Sequence, residues 1–591
     1  MKIFTIIKKT IKNYLPRKYY FRSLTICFAN LVGDFLELIG IGFIPIIIYN
    51  IFNPIELERI LEEKNITFLD PLLMNDYSIF IILGILIVFF TFKNIFLLLV
   101  FYFQKKLLIS IDNLQKSTIF KKYLNCEYED YLQKNPSYLI GLVNVGIPET
   151  TSLIENTFII IREIFLIFII VLSIYFINPE ATIITLFCLT LFLLVFYALT
   201  AKMSAWRGKL FFILKIKNLK IINETFDLIK EIKLYNKENY FFKSFKNQLQ
   251  LAEKQKLFNS VLNVLPRYII EISLLIVILL ILYFFYFFLG DVNKSIPVIT
   301  FISVSSIRLI PAFRMIVTSF NQINFRSTHL SSVLLEFNSL TNEKKYNKKE
   351  KFDSKVGEAI FENSIKITNL KFRYREAENE TLNIENFEIK KGEKIGIIGP
   401  SGSGKTTFIN ILLGFLNPTS GEILIDKKNL HHNISSWSKI IGYVPQEINF
   451  LDDKISKNIA IGIDEENIDR DKLLNSISIS NLSKFVKEKK EGFDTVIGNK
   501  ALQISGGQRQ RIGIARALYN QPKILILDEA TNSLDKKNEI NIINDVISIK
   551  DLTSIIIAHR VESLKKCDKI IVFEKGKIIN QGKFDKVIID D

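Results

Sequence analysis

The chain has 591 residues, 49% of them hydrophobic, and a mean hydropathy of +0.25, which excludes a single small soluble domain. Its net charge of +16 does not require a nucleic-acid partner, and none is expected, because the lysines lie beside apolar stretches as cytoplasmic membrane flanks do. Four cysteines, at 27, 126, 188 and 567, show neither metal nor disulfide spacing.

In chain order, a basic N-terminus (Lys2, Lys8, Lys9, Lys12, Arg17, Lys18) leads into an apolar stretch too long for a signal peptide. Six segments, near 23–50, 79–103, 155–177, 181–201, 267–289 and 296–318, reach the length of about 20 residues that a bilayer requires. The loops at about 104–154 and 202–266 are long and lysine-rich, whereas 53–77 holds Arg59 and Lys64 against six carboxylates. The positive-inside rule therefore places both termini and both long loops in the cytoplasm. Leu107, Ile111 and Leu114 recur at helical spacing, so the spans are expected to continue as helices beyond the membrane. Pro54–Lys64 has the pattern of a short amphipathic helix on the opposite side.

A charged, lysine-rich stretch over 341–355 reads as a linker between a transmembrane domain (1–340) and an α/β domain (356–591). In the latter, Gly399, Pro400, Ser401, Gly402, Ser403, Gly404, Lys405, Thr406 and Thr407 fit G-x-x-x-x-G-K-[ST] between an apolar strand and an apolar helix. Glycines let several N–H groups face one phosphate, the helix N-terminus adds positive potential, and Lys405 reaches the outer phosphates. Thr406 offers its hydroxyl to Mg²⁺. Ile524–Glu529 reads as a buried strand ending in two carboxylates, with Asp528 suited to Mg²⁺ and Glu529 to polarising water. Ser505, Gly506, Gly507 and Gln508 form a second phosphate-binding turn; Gln446, Asp535 and His559 complete the set.

Together and in this order, these motifs resemble the nucleotide-binding domain of ABC ATPases. The resemblance implies that ATP and Mg²⁺ are the cofactors and that Tyr374 stacks on adenine. It also makes Gln446, with Thr406 and Asp528, a metal ligand, and Glu529, His559 and Gln446 the catalytic set. One phosphate loop and one Ser505–Gln508 turn imply two chains facing head to tail across shared ATP, as a homodimer or with a relative. Ile504, Asn532, Ser533 and the stretch Gly498–Gln503 depart from the usual family pattern.

Six spans ahead of such a domain resemble an exporter-type half-transporter, a membrane all-α domain fused to an α/β phosphate-loop ATPase. Leu265–Glu271 and Arg308–Arg314 are similar to bacterial lipid-linked oligosaccharide flippases of the inner membrane. That resemblance implies that Lys93, Arg267 and Arg308 meet a lipid-linked pyrophosphate and that Pro54–Lys64 meets a polyprenyl tail. Arg308 and Arg314 stand six apart rather than the family's seven, roughly 120° around a helix, so Arg314 is not expected to share the role of Arg308. The alternative is that these bases pair with Asp34, Glu37 and Glu271 and that the cargo is another lipid, a drug or a peptide.

Overall fold

The computed structural model describes residues 2–52, 78–177, 179–284, 286–287, 296–339, 361–375, 377–432, 434–498, 504–530, 536–558 and 560–587. The expected outer helix at 54–64 and the linker at 341–355 lie outside them. Contacts divide the chain into two units, residues 1–126 with 131–348, and residues 127–130 with 349–591.

The first unit is helical. Its long helices are α1 (Tyr20–Phe52), α2 (Ser78–Leu124), α3 (Ile147–Ile177), α4 (Pro179–Asp227), α5 (Glu238–Phe284) and α6 (Ile296–Ser339). They carry the six apolar segments; among the described residues, three stretches meet membrane-crossing length and composition, within α2, around α3 and within α5. The helices run on past the apolar stretches, and Leu107, Ile111 and Ile119 of α2 are buried in a core with Leu142, Ile147 and Leu153. Nearer the start of α2, Ile87, Val88, Phe92 and Leu98 are exposed. That pattern suits a helix whose outer face meets lipid, where an apolar surface carries no hydration cost.

Small and polar residues bring α4 and α6 together. Thr200, Ser204 and Gly208 recur every four residues and so share one face of α4. The Thr200 hydroxyl lies 3.0 Å from Asn321 Oδ1, and the Ser204 hydroxyl donates to the Asn321 carbonyl at 3.0 Å. At Gly208 the helices approach so closely that an added Cβ would sit 1.8 Å from the Phe325 carbonyl oxygen. One turn on, the Phe212 ring meets His329 edge to face at 4.6 Å.

The second unit is α/β. An antiparallel sheet of β1 (Ser364–Phe372), β2 (Leu382–Lys390), β4 (Ser420–Ile425) and β5 (Lys428–Asn429) has the order β2-β1-β4-β5. A second sheet is built from β3 (Lys394–Ile398), β6 (Ile441–Val444), β9 (Ile524–Asp528), β10 (Thr553–Ile557), β11 (Lys569–Glu574) and β12 (Lys577–Gly582). Its order is β12-β11-β3-β10-β9-β6, parallel except for the β11–β12 hairpin. A short ribbon pairs β7 (Asp453–Lys454) with β8 (Val496–Ile497). β9 and β10 are buried at every residue, as continuous apolar runs in a covered parallel sheet should be. Helices α7 (Lys405–Leu412), α8 (Gly506–Leu518) and α9 (Lys536–Ile547) belong to this unit.

Replacing Gly208 by alanine should destabilise the helical unit by about 1–3 kcal/mol, because the obstructing atom is backbone and cannot rotate away. Thermal unfolding of the purified full chain in detergent reads this, with Ser204→Ala as the milder control.

Candidate ATP site

Parallel strands release their loops at one edge of a sheet, and the site forms where β3, β9 and β10 end. β3 leads into the phosphate loop, whose Gly404 takes φ +100° as the residue preceding α7. At Gly399, φ is +145° and a Cβ would stand 2.2 Å from the Phe573 carbonyl, so the first glycine is required both by conformation and by space. The hairpin turn between β11 and β12 supports the loop, with the Gly576 amide donating to the Ser403 carbonyl at 2.9 Å. Lys405 Nζ donates to the carbonyls of Gly399 (2.7 Å) and Pro400 (2.9 Å), which holds its charge within the loop. Ser401, Gly402 and Thr406 are exposed; Ser403 and Thr407 are buried.

β9 ends in Asp528, 4% exposed, followed by Glu529. Burial, reinforced by the neighbouring Glu529, pushes the Asp528 carboxyl up to about 6. The Tyr443 hydroxyl donates to Asp528 Oδ2 at 3.4 Å. Glu529 takes φ +49°, uncommon for a residue with a side chain, while its amide donates to the Ile557 carbonyl at 3.1 Å. From the loop after β6, Gln446 Nε2 donates to Glu529 Oε2 at 2.9 Å. Tyr374, after β1, places its hydroxyl 3.2 Å from Thr407 Oγ1 and its ring edge-on to Phe372 at 4.9 Å.

A cavity of about 500 Å³ joins these parts; Gly399, Pro400, Lys405 and Glu529 line it, with Phe573 and Ala558. Ser505–Gln508 do not contribute to its wall. They begin α8, where the Ser505 side chain accepts from the Gln508 amide and the Gln508 side chain accepts from the Ser505 amide. His559 and Asp535 lie outside the described residues. Thr406, Gln446 and Asp528 offer only oxygen ligands, a hydroxyl, a carboxamide and a carboxylate, and this set fits a hard cation. Mg²⁺ bound there would neutralise charge on the outer phosphates.

Three residues without a motif also shape the site. Arg516 of α8 donates from Nε to the Asn458 carbonyl (2.7 Å) and from Nη2 to the Asn449 carbonyl (3.0 Å). Asn458, fully buried, exchanges hydrogen bonds with Leu451 and donates to Asp453 and Lys454. The segment following Gln446 is thus tied to the helix that Ser505 begins. Arg375, next to Tyr374, meets Asp130 (2.5 Å), Glu127 (2.6 Å) and Glu129 (3.5 Å), and these carboxylates hold its guanidinium more firmly protonated. The ring of Tyr128 in the same segment packs on Phe415 at 5.2 Å.

In the helical unit, the cations expected to meet cargo are engaged by neighbours. Arg267 pairs with Glu271 at 3.0 Å, and Arg308 pairs with Glu37. Lys93 is buried, with its ammonium 4.6 Å from the centre of the Phe90 ring. Arg162 pairs with Glu163 and lies 3.9 Å from Asp34. Arg314 has no carboxylate partner among the described residues and lines a cavity of about 420 Å³ with Asn156, Asn263 and Gln322.

A family model described as the ABC transporter transmembrane region matches residues 25–310, and one described as ABC transporter matches residues 382–532. The leukotoxin translocation ATP-binding protein LktB of Mannheimia glucosida is 39% identical over 271 residues, 46% of this chain and 36% of that protein. The toxin RTX-I translocation ATP-binding protein of Actinobacillus pleuropneumoniae is 38% identical over 273 residues, 46% of this chain and 37% of its own length. The chain thus spans little more than a third of these curated relatives. In fold it is similar to a bacterial Atm1-family ABC exporter solved with ATP bound, at a TM-score of 0.73 and 20% identity over 97% of each chain.

Because an ionised Asp528 is costly in the folded state, Asp528→Asn should stabilise the nucleotide-free, metal-free protein at pH 7–8 by about 1–3 kcal/mol. The raised value means that the folded chain binds the proton more tightly than the unfolded chain. The gain should therefore shrink as pH falls below about 6 and disappear only well below the ordinary value of 3.8, where both states are protonated. Thermal unfolding across that range measures it.

Proposed function

The chain belongs to the ABC transporters, with the build of an exporter half-transporter, and from that premise we propose that it hydrolyses ATP to drive export across a membrane. The observation that carries this reading is the meeting of the phosphate loop, Asp528 and Glu529 at one edge of a parallel sheet, with Gln446 bonded to Glu529. Lys405 and the loop amides suit the phosphates, Tyr374 suits adenine, and Glu529 suits orienting and deprotonating the attacking water. Ser505–Gln508 stand outside the cavity wall, which supports a working unit of two chains, each capping the ATP held by the other. Closure and reopening of that pair would switch the helices between inward- and outward-facing states. The proposed setting is the bacterial inner membrane, with the ATPase domain and both termini in the cytoplasm.

For the cargo, we favour a polypeptide or another amphipathic molecule over a lipid-linked glycan. The relatives are named for toxin translocation, and Arg267 and Arg308 are held by carboxylates instead of facing a pyrophosphate unopposed. A second reading, flipping of a polyprenyl-pyrophosphate glycan, is favoured by Arg314, which lines a cavity without a carboxylate in its wall.

In proteoliposomes, ATP should drive uptake of a fluorescent cationic or neutral peptide into inside-out vesicles. Glu529→Gln should lower ATP turnover and uptake together by about 10²-fold or more. Uptake of a fluorescent polyprenyl-pyrophosphate glycan, abolished by Arg314→Gln, would select the second reading; ATP turnover without movement of either probe would reject both cargoes.

A further inference from the structure

A second cavity in the helical unit lies away from the charged residues already described. It is a groove of about 510 Å³ between α1 and α2, walled by Arg22, Ile26 and Ala29 on one helix and Val100, Phe103 and Lys106 on the other. The wall residues recur every three or four positions on each helix, so two continuous faces meet along the groove. Its chemistry is divided along its length. Arg22 stands at the start of the first apolar segment and Lys106 just past the end of the second, so both cations sit at the same cytoplasmic boundary of the membrane. From there the apolar side chains continue toward the bilayer interior.

Among the described residues no carboxylate pairs with Arg22 or Lys106, and none lines the groove. Their neighbours on α2 differ, since Lys105 pairs with Glu155 at 2.5 Å and Lys116 with Asp112 at 2.7 Å. The Lys106 ammonium lies 6.0 Å from the centre of the Tyr102 ring. Two uncompensated charges over an apolar channel complement a molecule with an anionic head and a hydrocarbon tail.

We propose that this groove binds an anionic phospholipid of the cytoplasmic leaflet. The phosphodiester sits between Arg22 and Lys106, and an acyl chain lies along Ile26, Ala29, Val100 and Phe103. A free phosphate would gain only the charged end, and a zwitterionic lipid would bring its own cation against the two already there.

The test is native mass spectrometry of the full chain in detergent with equal amounts of dioleoyl phosphatidylglycerol and dioleoyl phosphatidylcholine. The wild type should retain the anionic lipid about tenfold over the zwitterionic one, the scale expected of two interfacial cations. Arg22→Gln with Lys106→Gln should bring the ratio near one, while Arg22→Lys should keep most of it. Ala29→Trp fills the apolar wall and leaves both cations, and it should also abolish the preference. Glycerol 1-phosphate in excess should not displace the lipid. Equal retention of both lipids by the wild type, an unchanged ratio in the double variant, or full preference in Ala29→Trp would each overturn the proposal. Thermal unfolding of each variant, unchanged in phosphatidylcholine alone, separates loss of the site from loss of the fold.

Discussion

The ATPase half depends on one constraint, the burial of β9 between two parallel neighbours. Every residue of Ile524–Asp528 is shielded from water, so its backbone must pair on both sides and its end cannot move independently of β6 and β10. The chain then leaves the sheet through Glu529 at a positive φ that only a fixed surround would maintain. Two carboxylates are thereby delivered to the edge where β3 delivers the phosphate loop. Tyr443 and Lys405 ease part of the cost of an ionised Asp528 in that position, and a bound cation would offset more of it, which would couple metal and nucleotide binding to the stability of the sheet.

The membrane half solves a different electrostatic problem. A guanidinium or ammonium among apolar helices is expensive unless it is paired, and most of these are. Arg267–Glu271 lies within one helix, whereas Arg308–Glu37 joins α6 to α1 and Arg162 bridges toward Asp34 from α3. These pairs make the charges part of the packing. Removing Arg308 would leave the largely buried Glu37 without its partner, which is more damaging than the pair is stabilising, whereas the exposed Arg267–Glu271 pair contributes little. The α4–α6 contact involves no charge, because Ser204 and Gly208 let the backbones approach and Asn321 accepts from the Thr200 and Ser204 hydroxyls.

The phosphate loop, the two carboxylates and the Ser505–Gln508 turn were legible because their chemistry demands particular residues at short spacing. The strand at 524–528, the hairpin around Gly576 and the helical continuation through Leu107 and Ile111 were legible because burial imposes periodicity. Arg516 and Asn458 were not, since an arginine and an asparagine within helices have no signature until the fold brings backbone carbonyls to them. Arg375 was equally silent, because its three carboxylates come from residues 127–130, far away in sequence. In the membrane, charge inside a span was visible, and pairing with Asp34, Glu37 and Glu271 was one of two open readings. Which base meets which acid depends on helix rotation, and apolar periodicity is weak when a helix is apolar all round.

The proposed working unit is a pair of chains that share each ATP site. The direct measurement is cross-linking across it: in a background lacking the four native cysteines and carrying Glu529→Gln, cysteines replace Ser401 and Gly507 in separate chains, which are then mixed and oxidised. The account predicts a covalent two-chain product that forms with ATP and Mg²⁺ and falls away without nucleotide. Cross-linking that is indifferent to ATP, or absent with it, would contradict a site shared between two chains.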